Sequence, residues 1–234
     1  MTYRELINEV LIRLREETIP TDWTGKINDN VNVTDYQKVI GALINDTKRS
    51  IEAYHEWLIL RKTVNITTVA NQKNYELNSG QEFRLIDVIN TSNGNILSQV
   101  SSRYLNRIKY PVDPVGEPMH YGINEKNMSN YTRNFRVDLS PIPAAAGTVI
   151  SFDMIKFQDD LTLSLTALEI PAKPVVLGAY ARAISERGED GGTQSSLAAQ
   201  EASDSLNQAI IIDSGHTEFE NDWYVSENYR NSNR

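Results

Sequence analysis

The chain has 234 residues, enough for one large domain or two small ones, and its 40% hydrophobic and 23% charged content is that of an ordinary globular protein. It contains no cysteine, which excludes disulfides, iron–sulfur clusters, thiolate zinc sites and cysteine nucleophiles. The formal net charge of −8 argues against wrapping nucleic acid through phosphate neutralisation. A modest acidic excess serves solubility, and it also suits a protein that surrounds DNA without gripping it.

No apolar h-region opens the sequence, so no secretory signal is expected. No apolar run approaches the roughly 20 residues of a membrane span. Triplets such as Asn65-Ile66-Thr67 and Asn130-Tyr131-Thr132 read as accidents of an Asn-rich chain.

The first element is a helix through "TYRELINEVLIRLREE". Leu6, Ile7, Val10, Leu11 and Leu14 recur at helical spacing. Thr2 is its N-cap, and Glu5 completes a capping box. Pro20 to Val33 is a loop by composition. Its Asn and Asp residues slightly resemble a calcium loop but lack the glycine that the turn requires. Thr34 then caps a longer helix with a stripe of Val39, Ile40, Leu43, Ile44, Thr47, Ile51, Tyr54 and Leu58. His55, late in this helix, reads as a surface or capping residue, because His120 and His216 are remote in sequence and give no metal-ligand spacing.

The apolar period next changes from about 3.6 to about 2. "KTVNITTV" alternates Val64, Ile66 and Thr68 on one face. "NYEL" and "FRLIDVI" follow, and Asn93-Gly94 marks a hairpin before "NILSQV". "SSRYLNRIKY" is either a short helix or irregular. Pro111, Pro114 and Pro118 favour extended chain and sheet edges. "FRVDLSP" places Phe135, Val137 and Leu139 on one face. In "TVISFDMIKF" the inward face switches from Ile150, Phe152 and Met154 to Ile155 and Phe157, which predicts a bulge near Met154.

Helical pattern returns in "EIPAKPVVLGAYARAISERGED", with a start near Pro171 and a stop at Gly188. The last helix, "TQSSLAAQEASDSLNQAIIID", has Leu197, Ala202, Leu206, Ala209 and Ile212 as its apolar positions, and its small residues permit close helix approach. The segment from Ser214 to Arg234 is polar yet carries Phe219, Trp223, Tyr224 and Tyr229. Loose tails are normally poor in aromatics, so the composition fits either a loose end or ring anchors for another surface.

The expected fold is α+β. N- and C-terminal helices (1–60 and 167–213) form a four-helix bundle. Residues 61–166 form an inserted antiparallel β domain, sandwich or barrel-like, and 214–234 a tail. Phosphate loops, dinucleotide fingerprints and nucleophile elbows are missing, and Asp159-Asp160 reads as a solvated turn. No catalytic, cofactor or metal residues are assigned. The candidate partner-binding residues are Phe219, Trp223 and Tyr224.

A family resemblance lies in the serial order of several short motifs. "YRELINEVLIRLREE", "LINDTKRSIEAYHEWLILRKTV" and "NYELNSGQEFRLIDVI" are followed by "GEPMHYGI", "FRVDLSPIPAAAGTVISFDMIKFQDDLT" and "EIPAKPVVLGAYARAISERGED". The chain resembles the head-to-tail adaptor proteins of short-tailed phages, of the tail tubular protein A type, over roughly Tyr3 to Asp213. Trp57, Tyr75, Leu77, Pro118, Tyr121 and Pro143 match that pattern. The loop from Pro20 to Val33 is longer than the pattern, and the aromatic tail lies beyond it.

The resemblance implies a virion structural protein without enzymatic activity, assembled in the host cytoplasm. It implies a homo-oligomeric ring, a dodecamer, between the portal protein and the tail nozzle protein. Genomic DNA would pass through the ring without specific binding, and no membrane is involved. The alternative from the residues is a virion carbohydrate- or receptor-binding β module with helices for oligomerisation, since Tyr and Trp stack on sugars. An enzyme of unknown type is a third, remoter reading.

Overall fold

A computed structural model describes residues 1–27, 33–77, 83–108, 114–129, 132–188 and 192–215. It is a mixed α+β protein. The elements in chain order are α1 (Tyr3–Arg13), α2 (Asp35–Tyr54), a single 3-10 turn (Leu58–Leu60), β1 (Arg61–Thr67), β2 (Asn74–Leu77), β3 (Phe83–Asn90), β4 (Asn95–Ile96) and β5 (Ser98–Gln99). After these come α3 (Ser102–Ile108), β6 (Val115–Gly116), β7 (His120–Ser129), β8 (Thr132–Ser140), β9 (Ile142–Pro143), β10 (Val149–Lys156), α4 (Ala172–Arg187) and α5 (Thr193–Ser214). Two compact units result. One comprises Met1–Ile59 with the chain from Asp159 onward, and the other is Leu60–Gln158.

The helical unit begins with two capping boxes. Thr2 Oγ1 accepts from Glu5 N–H while Glu5 Oε2 accepts from Thr2 N–H at 2.8 Å, and Thr34 and Gln37 repeat the exchange at α2. Each box satisfies two of the orphan donors at a helix start. The Thr2 N–H also holds the Glu5 carboxyl below its usual range.

Helix α1 buries Tyr3, Leu6, Ile7, Val10 and Leu11. Helix α2 is buried around much of its circumference. Gln37, Gly41, Ile44, Lys48 and Glu52 lie on one line, with Ile40, Leu43, Thr47 and Ile51 beside it. The expected stripe is therefore corrected at three positions: Val39 and Tyr54 face solvent, and Leu58 lies beyond the end of α2, in the 3-10 turn. A wide buried face on a central helix displaces the boundary that apolar spacing alone suggests. Lys48 Nζ donates to Glu52 Oε2 at 3.0 Å inside this face, and the two side chains are 0% and 1% exposed.

Two glycines set the helix crossings. A Cβ at Gly41 would lie 2.5 Å from Tyr3 Oη, and one at Gly178 would lie 2.7 Å from Thr47 Cγ2. Side-chain-free positions thus bring α1 and α4 close to α2. Helix α4 packs against α1, α2 and α5. It ends at Gly188, whose φ of 64° is the left-handed C-cap that the sequence indicates.

The segment 159–166, which its position after the strands groups with the β domain, instead runs along the helical unit. Tyr3 N–H and Arg4 N–H donate to Thr166 O and Ser164 O (2.8 and 3.0 Å), and Ile27 N–H donates to Thr162 O. Two asparagines stand in for strand partners. Asn45 Oδ1 accepts from Leu161 N–H (2.9 Å) while its Nδ2 donates to Leu161 O (3.0 Å). Asn8 does the same to Ile19, at 2.8 and 2.9 Å. Each clamp satisfies the backbone of a residue whose apolar side chain is buried.

Asn45 also donates to Tyr3 Oη (3.3 Å). Burial, followed by the nearby Asp160 carboxylate, pushes the Tyr3 hydroxyl up to about 12 from 10.0. A raised folded-state value means the fold favours neutral tyrosine. This contribution is fully present below pH 10 and lost as the pH climbs from about 10 to about 12. At about 1.4 kcal/mol per unit it is on the order of 3 kcal/mol. Urea midpoints between pH 9 and 12 should fall more steeply for the native chain than for Tyr3→Phe. Parallel curves would show that Tyr3 titrates alike folded and unfolded.

The β unit holds a four-stranded antiparallel sheet, β1-β10-β3-β4, and a second sheet, β2-β8-β7-β5. Both contribute to one core. Ile66, Val88, Ile150, Phe152 and Met154 come from the first, and Tyr75, Leu77, Tyr121, Val137 and Leu139 from the second. The rings of Tyr121 and Phe152 meet edge to face across it, 6.1 Å between centroids. The chain changes sheets at Leu97. Its N–H donates to Val88 O (2.8 Å), and the next N–H, of Ser98, donates to Met119 O (3.0 Å).

Of the expected sandwich or barrel, the barrel is corrected, since the strands do not close on themselves. The antiparallel expectation holds for the long strands, while β5 pairs with β7 and β6 with β9 in parallel. Strands β5, β6 and β9 have two residues each, too short to show any alternation. The bulge expected near Met154 in β10 is corrected: a register shift falls between Asp153 and Met154, but the extra residue, Ile86, is on β3, and β10 pairs with β1 without a break; Met154 and Ile155 are nonetheless buried in succession. The Asn93-Gly94 turn is also present, with Gly94 at φ 74° and its N–H on Asn90 O at 2.8 Å.

Candidate assembly surface

The six residues that carry the resemblance, Trp57, Tyr75, Leu77, Pro118, Tyr121 and Pro143, are all buried. Their task is holding the fold. The Tyr75 hydroxyl accepts from Val69 N–H (3.0 Å) and lies 2.9 Å from Gln72 O, closing the turn between β1 and β2. Trp57 donates its indole N–H to Ile51 O (3.0 Å), one of the carbonyls that the end of α2 leaves without a helical partner. A partner-binding surface must therefore be sought elsewhere.

Helix α5 offers one. Its seam on α4 is made of small residues: Ala198 and Ser205 are buried, with Ala202 and Ala209 partly so. Ala198 packs with Ala181 and Ile184 of α4. The expected apolar stripe is corrected here, because Leu197 and Ile212 lie outside the seam and are exposed, as is Ile211. Close approach of two backbones selects small side chains at the contact, so the large ones are left on the flanks.

At its last turn α5 meets the end of α2. His55, the extended C-cap of α2, places Nε2 at 2.9 Å from Asp213 Oδ2, and Leu58 N–H donates to the same oxygen at 3.2 Å. The His55 ring stands edge-on to Trp57, centroids 4.9 Å apart. One carboxylate thus clasps the exit of α2. His55 does cap its helix, as expected. Asp213 was not singled out by sequence, since an acidic residue after "AIII" carries no local signal of a partner 158 positions away.

Close to these residues in sequence, Tyr54, Ile59, Ile211 and Ile212 are exposed by 70%, 58%, 70% and 70%.

The predicted anchors Phe219, Trp223 and Tyr224 lie outside the described residues. So do residues 28–32 of the loop that resembles a calcium site. Among the described residues no group of three or more His, Asp or Glu side chains could hold a metal ion, and no helix is long and apolar enough to cross a membrane.

The model of one protein family, described as SU10 adaptor protein, matches residues 1–224. The chain belongs to the SU10 adaptor protein family. It is thus a structural adaptor of a phage virion, in line with the resemblance in its serial motifs. No curated protein gives a match. The family match reaches past α5, to residue 224.

Proposed function

We propose that this adaptor forms a ring, a dodecamer, between the portal protein and the tail nozzle protein at the head-to-tail interface, and lines the channel through which DNA leaves. In this reading the helices of residues 1–59 and 159–213 act as one four-helix bundle, with residues 60–158 inserted as a domain. Residues 214–234 are a tail whose Phe219, Trp223 and Tyr224 anchor the assembly. The observation that carries the reading is the family match over residues 1–224. Two physical features support it. A ring subunit needs two different lateral faces and no internal symmetry, and this chain has none. A net charge of −8 also keeps a conduit from holding its DNA.

The carbohydrate-binding alternative calls for aromatic rings displayed on a sheet. Among the described residues of the β unit, the large exposed apolar side chains include one ring, Tyr104, and it stands on α3. That arrangement does not favour the alternative.

The free adaptor should sediment as a monomer or a weak associate and form rings when mixed with portal. Analytical ultracentrifugation and negative-stain images of the two proteins, apart and together, provide the test. A compact dimer that survives dilution, or no association with portal, would overturn the reading.

A further inference from the structure

We infer that the basic face of α3, Arg103 and Arg107 with Tyr104 beside them, docks on the acidic flank of α5, Glu201 and Asp204, in a second copy of this chain. The inference rests on the ring reading and names a lateral contact that such a ring would use.

Charge is unevenly shared between the two units. Leu60–Gln158 holds 11 Lys and Arg against 8 Asp and Glu, a formal +3, while the rest of the chain holds 12 against 23, a formal −11. Opposite signs favour contact between unlike units of neighbouring copies and oppose contact between two helical units.

Helix α3 concentrates the positive side. No Asp or Glu occurs from Val88 to Val112, a stretch that includes all of α3. Arg103 and Arg107 are four residues apart and so share one helix face, and both are exposed. Leu105 lies on the opposite face, is buried, and seats α3 on β7, where a Cβ at Gly122 would lie 2.5 Å from Leu105 Cδ1. Tyr104, 46% exposed, donates its N–H to Ser101 Oγ (3.2 Å) and sets its ring edge-on to His120. The face is thus held in place. Neither guanidinium has an ion-pair or hydrogen-bond partner among the described residues of its own chain.

Helix α5 supplies the counterpart. It carries no Lys or Arg. Leu197, Glu201, Asp204 and Ile211 recur at i, i+4, i+7 and i+14, which sets them along one flank of the helix, and all four are exposed. Glu201 and Asp204 have no ion-pair or hydrogen-bond partner among the described residues either. The two carboxylates, between two large apolar side chains, complement the two guanidiniums beside a ring. The charges select partner and register, and Tyr104, Leu197 and Ile211 supply apolar surface to bury. Basic face and acidic flank are different surfaces of one chain. Their contact, repeated from copy to copy, is heterologous, the kind that closes rings.

The chain contains no cysteine, so introduced cysteines report this contact alone. Full-length Tyr104→Cys and Leu197→Cys proteins, mixed at low salt and treated with a short bis-maleimide, should give several-fold more cross-linked dimer than either protein by itself. Cross-linking captures a contact too weak to survive dilution. Adding Arg103→Glu and Arg107→Glu to the Tyr104→Cys protein should lower the yield about tenfold or more. Pairing that protein with Leu197→Cys carrying Glu201→Arg and Asp204→Arg should restore it. Raising the salt, which needs no further substitution, should also lower the parent pair's yield. All these positions are exposed, and circular dichroism should show each variant folded as the parent is. A mixture no richer in dimer than its components, a yield indifferent to charge reversal or salt, or a paired reversal that restores nothing would overturn the inference. So would an α3 reversal that spares cross-linking but lowers retention on duplex DNA, since the face would then serve phosphates. The assay contains no portal, so its outcome is separable from failure of the ring reading, which shows as absent portal association.

Discussion

Lys48→Met should destabilise the adaptor by about 3–5 kcal/mol, the usual consequence of removing one partner from a buried ion pair. Lys48 and Glu52 are enclosed in the most buried face of α2 and joined at 3.0 Å. Methionine matches the length of the lysine stem and fills its space, so little packing is lost. What is lost is the positive charge that offsets a carboxylate taken out of water. The double variant Lys48→Met with Glu52→Leu removes both charges, and it should recover most of the loss or exceed the parent in stability. Urea denaturation of these two variants and of Glu52→Leu alone completes the cycle. A single variant within about 1 kcal/mol of the parent would mean that water reaches the pair. A double variant as unstable as the single would mean that Lys48 works through packing.

This pair also shows where reading a sequence by pattern reaches its limit. Apolar spacing located α2, its Thr34 cap and most of its buried positions. It could not show that Lys48 and Glu52 are inside, because an i,i+4 pair of opposite charges looks the same on a solvated face. The elements governed by local chemistry were legible: both N-caps, the left-handed stop at Gly188 and the Asn93-Gly94 turn. The segment 159–166 was not. Its backbone is satisfied by Asn45 and by the ends of α1, more than a hundred positions away, and no local pattern records such a partner. The same holds for the assembly surface. The apolar residues of α5 were visible, but which of them face α4 depends on how closely two backbones approach. Small residues won the contact, and Leu197, Ile211 and Ile212 were left outside.

Truncation after Gly215 is expected to abolish assembly on portal while leaving the subunit folded. The cut removes no described residue and keeps the Asp213 clasp, so the urea midpoint should match the parent. In the proposed assembly the tail segment is held, and that has an entropic opponent. Fixing the backbone of residues 219–224 costs roughly 6–12 kcal/mol at 1–2 kcal/mol each. Three aromatic rings burying about 150–250 Å² apiece return roughly 11–19 kcal/mol at 25 cal/mol per Å². The margin is small enough that one ring matters. Trp223→Ala alone should weaken assembly by about 2–4 kcal/mol, at least roughly thirtyfold in affinity. Phe219 and Trp223 are four residues apart, so a helical turn on binding would present both rings on one side, and Phe219→Ala should act in the same direction. Quantitative sedimentation of each variant with portal measures the effect. A truncated chain that forms rings as readily as the parent would show that the aromatic segment is not an anchor. A truncated chain that no longer folds would show that residues beyond Gly215 support the subunit itself, and Trp223→Ala, which leaves the chain at full length, then isolates the contribution of the ring.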